Sequence, residues 1–272
     1  MQVRADIERD AEGKALRLVG AHVDVTELKQ LQEDLRASEG RLQEADERKN
    51  HFLAMLGHEL RNPLAAIALG VKLVASPRAT PESRERALPV VAEQTAHMER
   101  LIDDLLDITR IVQGRLQVTL QPLALGEAIE SALAMVRARA QAEDFELEVT
   151  LPSAPLRVLG DKVRLTQIFV NLLGNALKYS GDARRIELAV HSEGPWLAVS
   201  VRDHGIGIPK EFLPRVFEPF VQANPGLTLA EGIGLGLAVV RELVRLHGGE
   251  VAAFSAGEGR GSCFVVRLPA AA

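Results

Sequence analysis

A stripe of apolar residues between positions 53 and 74 constrains the fold more than any other feature of this sequence. Leucine, isoleucine and valine recur there at intervals of three and four residues, which is the spacing of one face of an α-helix. At about 100° per residue, His58 points almost opposite this stripe, Asn62 shares its face and Glu59 lies alongside. Pro63 interrupts the helical hydrogen-bond ladder, so we expect a kink there. The stretch predicts a core-forming helix with a polar outer side, and a surface histidine without function explains it equally well.

A second amphipathic helix follows after a short turn. Thr80 can cap this helix, Pro81 suits its first position, and Gly114 provides a stop after about Val112. Pro89, inside it, predicts a local kink. Two long amphipathic helices joined by a short turn form a helical hairpin, and a hairpin alone leaves its apolar stripe half exposed. Dimerisation into a four-helix bundle would cover that stripe, so the sequence predicts a homodimer.

The segment before the hairpin predicts a helical linker and the end of another domain. A helix over Thr26–Lys49 fits a heptad repeat with leucines from Leu28 to Leu42, which predicts a parallel coiled-coil dimer. A solvated single helix is the alternative. The first 25 residues predict two short strands, Val3–Ile7 and Ala15–Val25. Because a lone two-stranded hairpin is marginally stable in water, we interpret this part as the end of a larger domain.

From about residue 116 the pattern changes to an alternation of strands and helices. Predicted strands are Leu116–Leu120, Phe145–Leu151, Arg185–His191, Trp196–Arg202, Glu250–Ser255 and Ser262–Leu268. Predicted helices are Gly126–Ala142, Lys162–Tyr179, Lys210–Val216 and Leu235–Leu246. Helices packed on one face of a mixed sheet form an α/β sandwich of about 150 residues. The long loop over 218–233 is typical of a functional lid.

Composition excludes several classes of function. The chain has 272 residues, 25% of them charged, and a formal net charge of −5, which gives no electrostatic reason to expect nucleic-acid binding. Its single cysteine, Cys263, can form no internal disulfide and favours a reducing, cytoplasmic location. Since no apolar run reaches about 18 residues, we expect no membrane contact by this segment, although a full-length parent could carry an anchor upstream.

The predicted helix Lys162–Tyr179 has an unusual polar face. Asparagine is a poor residue in the middle of a helix because its side chain competes with the backbone. Two asparagines one turn apart and a following lysine suggest amide oxygens directed at Mg²⁺ bound to substrate phosphates. A solvated polar face is the alternative. The residues of this face are Gln167, Asn171, Asn175 and Lys178.

Two glycine-rich runs accompany this helix. The first begins at Asp203, directly after a predicted strand, and its glycines would let the backbone approach a flat ligand. The second, over 232–236, leads into an apolar helix, whose first N–H groups can bind anions. Each run alone is a weak signal, because a turn explains the first and a hinge the second. Neither run fits a Walker loop or a dinucleotide fingerprint, and the eukaryotic kinase signatures are absent.

Taken in order, these segments resemble the bacterial sensor histidine kinases of two-component systems over about residues 45–270. Five stretches resemble the H, N, G1, F and G2 boxes of that family: 58–63, 171–180, 203–208, 212–220 and 232–237. The run 18–27 resembles the closing strand and exit of PAS sensor domains. The resemblance implies an all-α hairpin forming a dimeric four-helix bundle (HisKA-type), followed by an α/β sandwich of the GHKL ATP-binding fold. We expect a PAS-like remnant over 1–25, a coiled-coil linker over 26–50, a phosphotransfer domain over 51–115 and an ATP-binding domain over 116–272.

The resemblance also implies roles for the hairpin residues. His58 would accept the phosphoryl group from ATP and Glu59 would take the imidazole proton. Asn62 matches the position that helps to place a water for hydrolysing the phosphorylated partner. That partner would be the receiver domain of a response regulator. Autophosphorylation and transfer to its aspartate would rest mainly on positioning and charge neutralisation.

In the second half, the resemblance implies an ATP site with Mg²⁺. Asn175 would ligate Mg²⁺ with Asn171 alongside, Lys178 would meet phosphate oxygens, Tyr179 would lie near the base, and Asp203 would bind the adenine amino group. The remaining nucleotide-binding positions that it implies are Gly205, Gly207, Phe220, Gly232, Gly234, Gly236 and Leu237.

One departure from the family leaves a second function open. The lid over 218–233 contains neither Lys nor Arg, whereas many relatives place a lid cation on the γ-phosphate. The alternative is therefore a catalytically weak dimeric scaffold or phosphatase that binds a receiver domain. A third possibility, another ATPase with this nucleotide fold, is disfavoured because such an enzyme has no use for the His58 hairpin.

Overall fold

The computed structural model describes residues 2–23, 26–152, 156–221 and 234–271. The chain divides into two compact units, residues 1–55 and 56–272. In the first unit, β1 (Gln2–Arg9) and β2 (Ala15–Val23) pair antiparallel, which confirms the predicted strands. The PAS resemblance stays a prediction, and residues 24 and 25 of that run lie outside the described residues.

The predicted helical hairpin is present. Helix α1 (Thr26–Ala75) runs through Pro63, and α2 (Pro81–Val112) runs through Pro89, without ending at either proline. As predicted, Thr80 caps α2, its side chain accepting a hydrogen bond from the backbone N–H of Ser83 at 3.2 Å. Gly114 follows the helix with a φ of +64°. The linker prediction is confirmed as a helix, and its coiled-coil pairing stays a prediction.

The two helices approach closely at Gly70. A Cβ added there would lie 2.4 Å from Cγ2 of Val91, so only glycine fits without a shift. Much of the apolar surface of the hairpin nevertheless stays exposed, as expected for a hairpin seen alone. The large apolar side chains exposed on it, from position 64 onward, are Leu64, Leu69, Val71, Leu73, Leu88, Val90, Ile102, Leu106 and Val112.

The second half is an α/β domain. Its strands are β3 (Gln121–Ala124), β4 (Glu146–Thr150), β5 (Arg157–Gly160), β6 (Arg185–Glu193), β7 (Trp196–Asp203), β8 (Glu250–Phe254) and β9 (Ser262–Pro269). Its helices are α3 (Leu125–Ala142), α4 (Lys162–Tyr179) and α5 (Gly236–Leu246). Five strands form one sheet in the order β4-β6-β7-β9-β8, in which only the β4–β6 pair is parallel among the described strands. This mixed sheet confirms the predicted α/β architecture.

The core lies between this sheet and the three helices. Alternate residues of β6 are buried, as expected for a strand with one face on the core, namely Ile186, Leu188 and Val190. Helix α4 supplies the fully buried residues Leu165, Ile168, Phe169, Leu172 and Leu173. Among the described helices, none combines the length and apolar character that crossing a bilayer requires.

Two predicted elements were wrong. The run 116–120 is not a strand, and the backbone N–H of Thr119 donates instead to Oδ2 of Asp161 at 3.1 Å. The strand of this region is β3, which pairs with the unpredicted β5 in a separate two-stranded sheet. The predicted helix Lys210–Val216 is reduced to a 3₁₀ turn over Leu213–Arg215, in a segment whose Pro214 cannot donate a backbone hydrogen bond.

Candidate functional site

Helix α4 spans the residues predicted for it and carries the candidate site. Its N-cap is Asp161, whose Oδ1 accepts hydrogen bonds from the backbone N–H groups of Val163 at 3.0 Å and Arg164 at 3.2 Å. The four residues of the predicted polar face, Gln167, Asn171, Asn175 and Lys178, are all half-buried. A fully solvated face therefore does not describe this side of the helix.

The start of α5 borders this polar face. The side-chain Nδ2 of Asn171 donates to the backbone oxygen of Gly236 at 3.4 Å. A Cβ added at Gly236 would lie 3.6 Å from Cγ of Asn171, an ordinary contact distance. Gly234 has a φ of +73°, and its carbonyl accepts from the N–H of Phe220 at 3.1 Å. The structure thus brings Gly234 and Gly236 of the second glycine run to the asparagine face, with Leu237 in the first turn of α5.

Asp203 ends β7 as a buried acceptor, with 4% of its surface exposed. Its Oδ1 accepts from the backbone N–H of Gly205 at 2.9 Å and of Ser262 at 3.2 Å, and its Oδ2 accepts from the Ser262 hydroxyl. Ser262 lies opposite Asp203 in the register of β7 and β9. Sequence reasoning missed Ser262, because only the pairing of these two strands identifies it.

The glycines of the first run approach protein backbone. A Cβ added at Gly205 would lie 1.8 Å from the backbone oxygen of Tyr179, which also accepts from the N–H of Ile206 at 3.0 Å. A Cβ at Gly207, whose φ is +69°, would lie 2.1 Å from the backbone oxygen of Gly257. Both glycines therefore let this loop pass between the end of α4 and the β8–β9 loop. The expected approach of this backbone to a flat ligand stays a prediction.

The other predicted site residues lie at the end of α4 and on α1. Nζ of Lys178 lies 4.7 Å from the centroid of the Tyr179 ring at the end of α4. On α1, His58 and Asn62 are exposed and Glu59 is half-buried, as the helical spacing predicted. Gly232 lies outside the described residues.

A polar cluster that the sequence did not reveal joins α2 to α4. The buried Asp107 accepts at Oδ2 from Nη1 of Arg164 at 2.7 Å and from Nε2 of Gln167 at 2.8 Å. Nη1 of Arg164 also donates to Oε1 of Gln167 at 2.8 Å, which closes the triangle. Nearby on α2, burial raises the pKa of Asp104 to about 6, with smaller contributions from the Asp107 and Asp103 carboxylates.

Two family models match the chain, in the order of its two structural parts. The His Kinase A (phospho-acceptor) domain matches residues 48–114. The histidine kinase-, DNA gyrase B- and HSP90-like ATPase domain matches residues 160–272. These matches define a phosphoacceptor hairpin joined to an ATP-binding domain. The chain belongs to the sensor histidine kinases of two-component systems.

Curated relatives agree with this assignment. An uncharacterised sensor-like histidine kinase of Rhizobium meliloti is 33% identical over 265 residues, which cover 96% of this chain and 50% of that protein. The sensor histidine kinase RcsC of Escherichia coli is 31% identical over 249 residues, which cover 91% of this chain and 26% of that protein. The chain thus spans half or less of the length of these relatives.

Solved structures share the fold. Full-length ShkA in complex with AMPPNP is 30% identical, with a TM-score of 0.60 over 80% of this chain and 45% of that chain. The histidine kinase ThkA in complex with the response regulator TrrA is 22% identical, with a TM-score of 0.58 over 99% of this chain and 75% of that chain. The second of these likenesses bears on the fold alone.

Proposed function

We propose that this chain is an ATP-dependent protein histidine kinase that phosphorylates His58 and passes the phosphoryl group to an aspartate of a response regulator. The observation that carries the proposal is the exposed His58 in a matched phosphoacceptor hairpin, followed on the same chain by a matched ATPase domain. An accessible imidazole is what an incoming γ-phosphate requires, and the second domain supplies the nucleotide.

The proposed reaction has two transfers. A nitrogen of His58 bonds to the γ-phosphorus as the bond to the bridging oxygen breaks, ADP leaves, and the imidazole proton passes to Glu59. The phosphorus–nitrogen bond then breaks as an aspartate oxygen of the receiver bonds to phosphorus. Asn62, exposed one turn after His58, would place a water that hydrolyses the phosphorylated receiver, which releases inorganic phosphate and restores the aspartate.

Asp203 suits the adenine amino group in this proposal. A carboxylate offers about four lone-pair sites, and three donors from Gly205 and Ser262 already occupy this one. One acceptor site is therefore left for the N–H of an exocyclic amine. Tyr179, which bounds the same loop, would lie near the base.

The phosphates would lie between α4 and the start of α5. Asn175, with Asn171 alongside, offers amide oxygens of the kind that Mg²⁺ accepts, and the ion would supply positive charge against the phosphate oxygens. Lys178 would add a second positive charge. The backbone of the 232–236 glycine run would line the phosphates, with Gly205, Gly207, Phe220 and Leu237 completing the nucleotide site.

The exposed apolar face of the hairpin supports a homodimer. Covering it with the same face of a second copy would give the four-helix bundle predicted from the sequence. We further propose that the partner in phosphotransfer is a receiver domain, and that this segment acts in the cytoplasm, where ATP and such partners are available. The domain limits at residues 25, 50 and 115 belong to the same proposal.

Labelling with γ-labelled ATP and Mg²⁺ tests the proposal. Wild type should acquire an acid-labile, base-stable label, His58→Gln should acquire none, and His51→Gln, seven residues earlier on the same helix, should label like wild type. Label that survives in His58→Gln but disappears in His51→Gln would overturn the site assignment.

A scaffold or phosphatase is the second candidate, because the lid over 218–233 carries no Lys or Arg to meet a γ-phosphate. The fate of the γ-phosphate separates the two functions. Transfer to histidine supports the kinase. ATP binding without label, together with release of phosphate from a phosphorylated receiver, supports the alternative.

A further inference from the structure

His247 is a buried histidine at the end of α5 that uses both ring nitrogens. It is 5% exposed, its Nδ1 lies 2.7 Å from the backbone oxygen of Leu243, and its Nε2 lies 3.0 Å from the backbone nitrogen of Asp161. Because a carbonyl only accepts and a backbone N–H only donates, the proton is on Nδ1 and Nε2 carries a lone pair. Burial lowers the pKa of His247, although the Leu243 carbonyl and the Asp161 charge oppose this effect. The ring is therefore neutral near pH 7.

The residue that His247 holds is the N-cap of α4. While the backbone N–H of Asp161 donates to His247, its carboxylate caps Val163 and Arg164. The residue before it, Gly160, is close to two side chains, since a Cβ there would lie 2.6 Å from Cδ1 of Leu165 and 3.1 Å from Cδ2 of His247. Any larger residue at 160 would push against Leu165 and the imidazole. The start of α4 is thus fitted to this histidine by hydrogen bonding and by shape.

The start of α5 meets the middle of α4 at the candidate nucleotide site. There the side chain of Asn171 donates to the backbone of Gly236, the first residue of α5. Helices α4 and α5 are therefore antiparallel neighbours, and α5 is tied to α4 at its C-terminal end by His247 and at its N-terminal end by Asn171. With a rise of about 1.5 Å per residue, a slip of α5 by a fraction of a turn would displace its first N–H groups from the asparagine face.

We propose that His247 is a positioning residue of the nucleotide site. Its neutral imidazole fixes the register of α5 on α4, so that Gly234 and Gly236 at the start of α5 and the side chains of Asn171 and Asn175 face one bound nucleotide. This inference rests on the proposed ATP-dependent function and assigns it a residue that touches neither ATP nor Mg²⁺.

Three substitutions separate the two hydrogen bonds of the ring. In His247→Gln, the amide oxygen can reach the place of Nε2 and accept from Asp161. In His247→Asn, the shorter amide can keep the Leu243 contact but cannot reach Asp161. His247→Leu removes both. Leu188→Ala, a buried substitution on β6 outside the α4–α5 pair, is the control for lost stability.

The experiment measures the affinity of the full chain for Mg·AMPPNP by calorimetry at about 15 °C, near the usual temperature of maximum stability. If every variant is folded there, a residue that only stabilises the fold leaves the affinity unchanged. We expect a loss of about tenfold for His247→Asn and His247→Leu, because restoring the register of α5 then takes up part of the binding free energy, and less than about threefold for His247→Gln. Leu188→Ala should bind like wild type despite a lower Tm.

Wild-type affinity in folded His247→Asn would overturn the positioning role and leave the proposed function intact. A loss in Leu188→Ala as large as that in His247→Asn would assign the effect to general stability and overturn it too. If His247→Leu fails to fold, His247→Asn and His247→Gln decide the question alone. Failure of wild type to bind the analogue would contradict the proposed ATP-dependent function itself, and the positioning role with it.

Discussion

Removing Arg164 should destabilise the protein far more than removing an exposed arginine in an equally short ion pair. Asp107 is 4% exposed and the Arg164 side chain is 20% exposed, so little water can replace the guanidinium. Breaking a buried pair by removing one partner costs about 3–5 kcal/mol. Because Gln167 still donates to the carboxylate and Arg110 lies 3.9 Å away, we expect about 2–3 kcal/mol for Arg164→Met.

Urea denaturation of a double-mutant cycle measures this effect. The double variant Arg164→Met with Asp107→Leu should recover most of the loss, because no charge is then left buried and unpaired. Arg139→Met is the matched control: Arg139 pairs with Glu143 at the same 2.7 Å, but the two side chains are 53% and 42% exposed. We expect about 0.5 kcal/mol or less there. Additive single effects, or an Arg164→Met loss no larger than the control, would refute the reasoning.

Three further predictions concern single residues. Asn175→Asp should weaken use of Mg-ATP without a large fall in the Tm of the ATP-free protein, since the side chain is half-buried and is proposed to bind Mg²⁺ rather than to pack in the core; a large fall would contradict this proposal. Burial gives Asp104 a folded pKa of about 6 against an ordinary 3.8, so the free energy of unfolding should fall as pH rises from about 4 to 6. Asp104→Asn should therefore stabilise the protein by up to about 3 kcal/mol at pH 8 and by almost nothing at pH 4. Urea denaturation at both pH values measures this difference. Ser180→Ala should raise the Tm by the equivalent of about 1 kcal/mol, because the Ser180 hydroxyl is buried and has no hydrogen-bond partner among the described residues; a lower Tm would show that the hydroxyl is satisfied.

Local signals predicted the helices well. The bounds of α4 and the start of α2 followed from a capping residue, a proline or an apolar stripe within a few residues of each helix end. The exposed position of His58 followed from helical spacing alone. These features depend on the chain within one or two turns, which is the range over which a sequence pattern acts directly.

The same reasoning could not predict contacts between residues that lie far apart in the sequence. The strand β5 has four residues and is recognisable only from its pairing with β3. Asp107 and Arg164 are 57 positions apart, and Asp161 and His247 are 86 apart. Nothing in their own neighbourhoods distinguishes Asp107 from a solvated acid or His247 from an ordinary helix-end histidine. Only the tertiary packing assigns their partners.

Helix α4, which has 18 residues, contacts the hairpin near its start and borders the candidate nucleotide site farther along. Arg164 and Gln167 near its start hold the hairpin, and Asn171, Asn175 and Lys178 farther along face the candidate nucleotide site. By thermodynamic linkage, the factor by which a bound nucleotide changes the docking of this domain on α2 equals the factor by which docking changes nucleotide affinity. The ratio of the nucleotide Kd of Arg164→Met to that of wild type therefore measures the coupling free energy between domain docking and nucleotide binding.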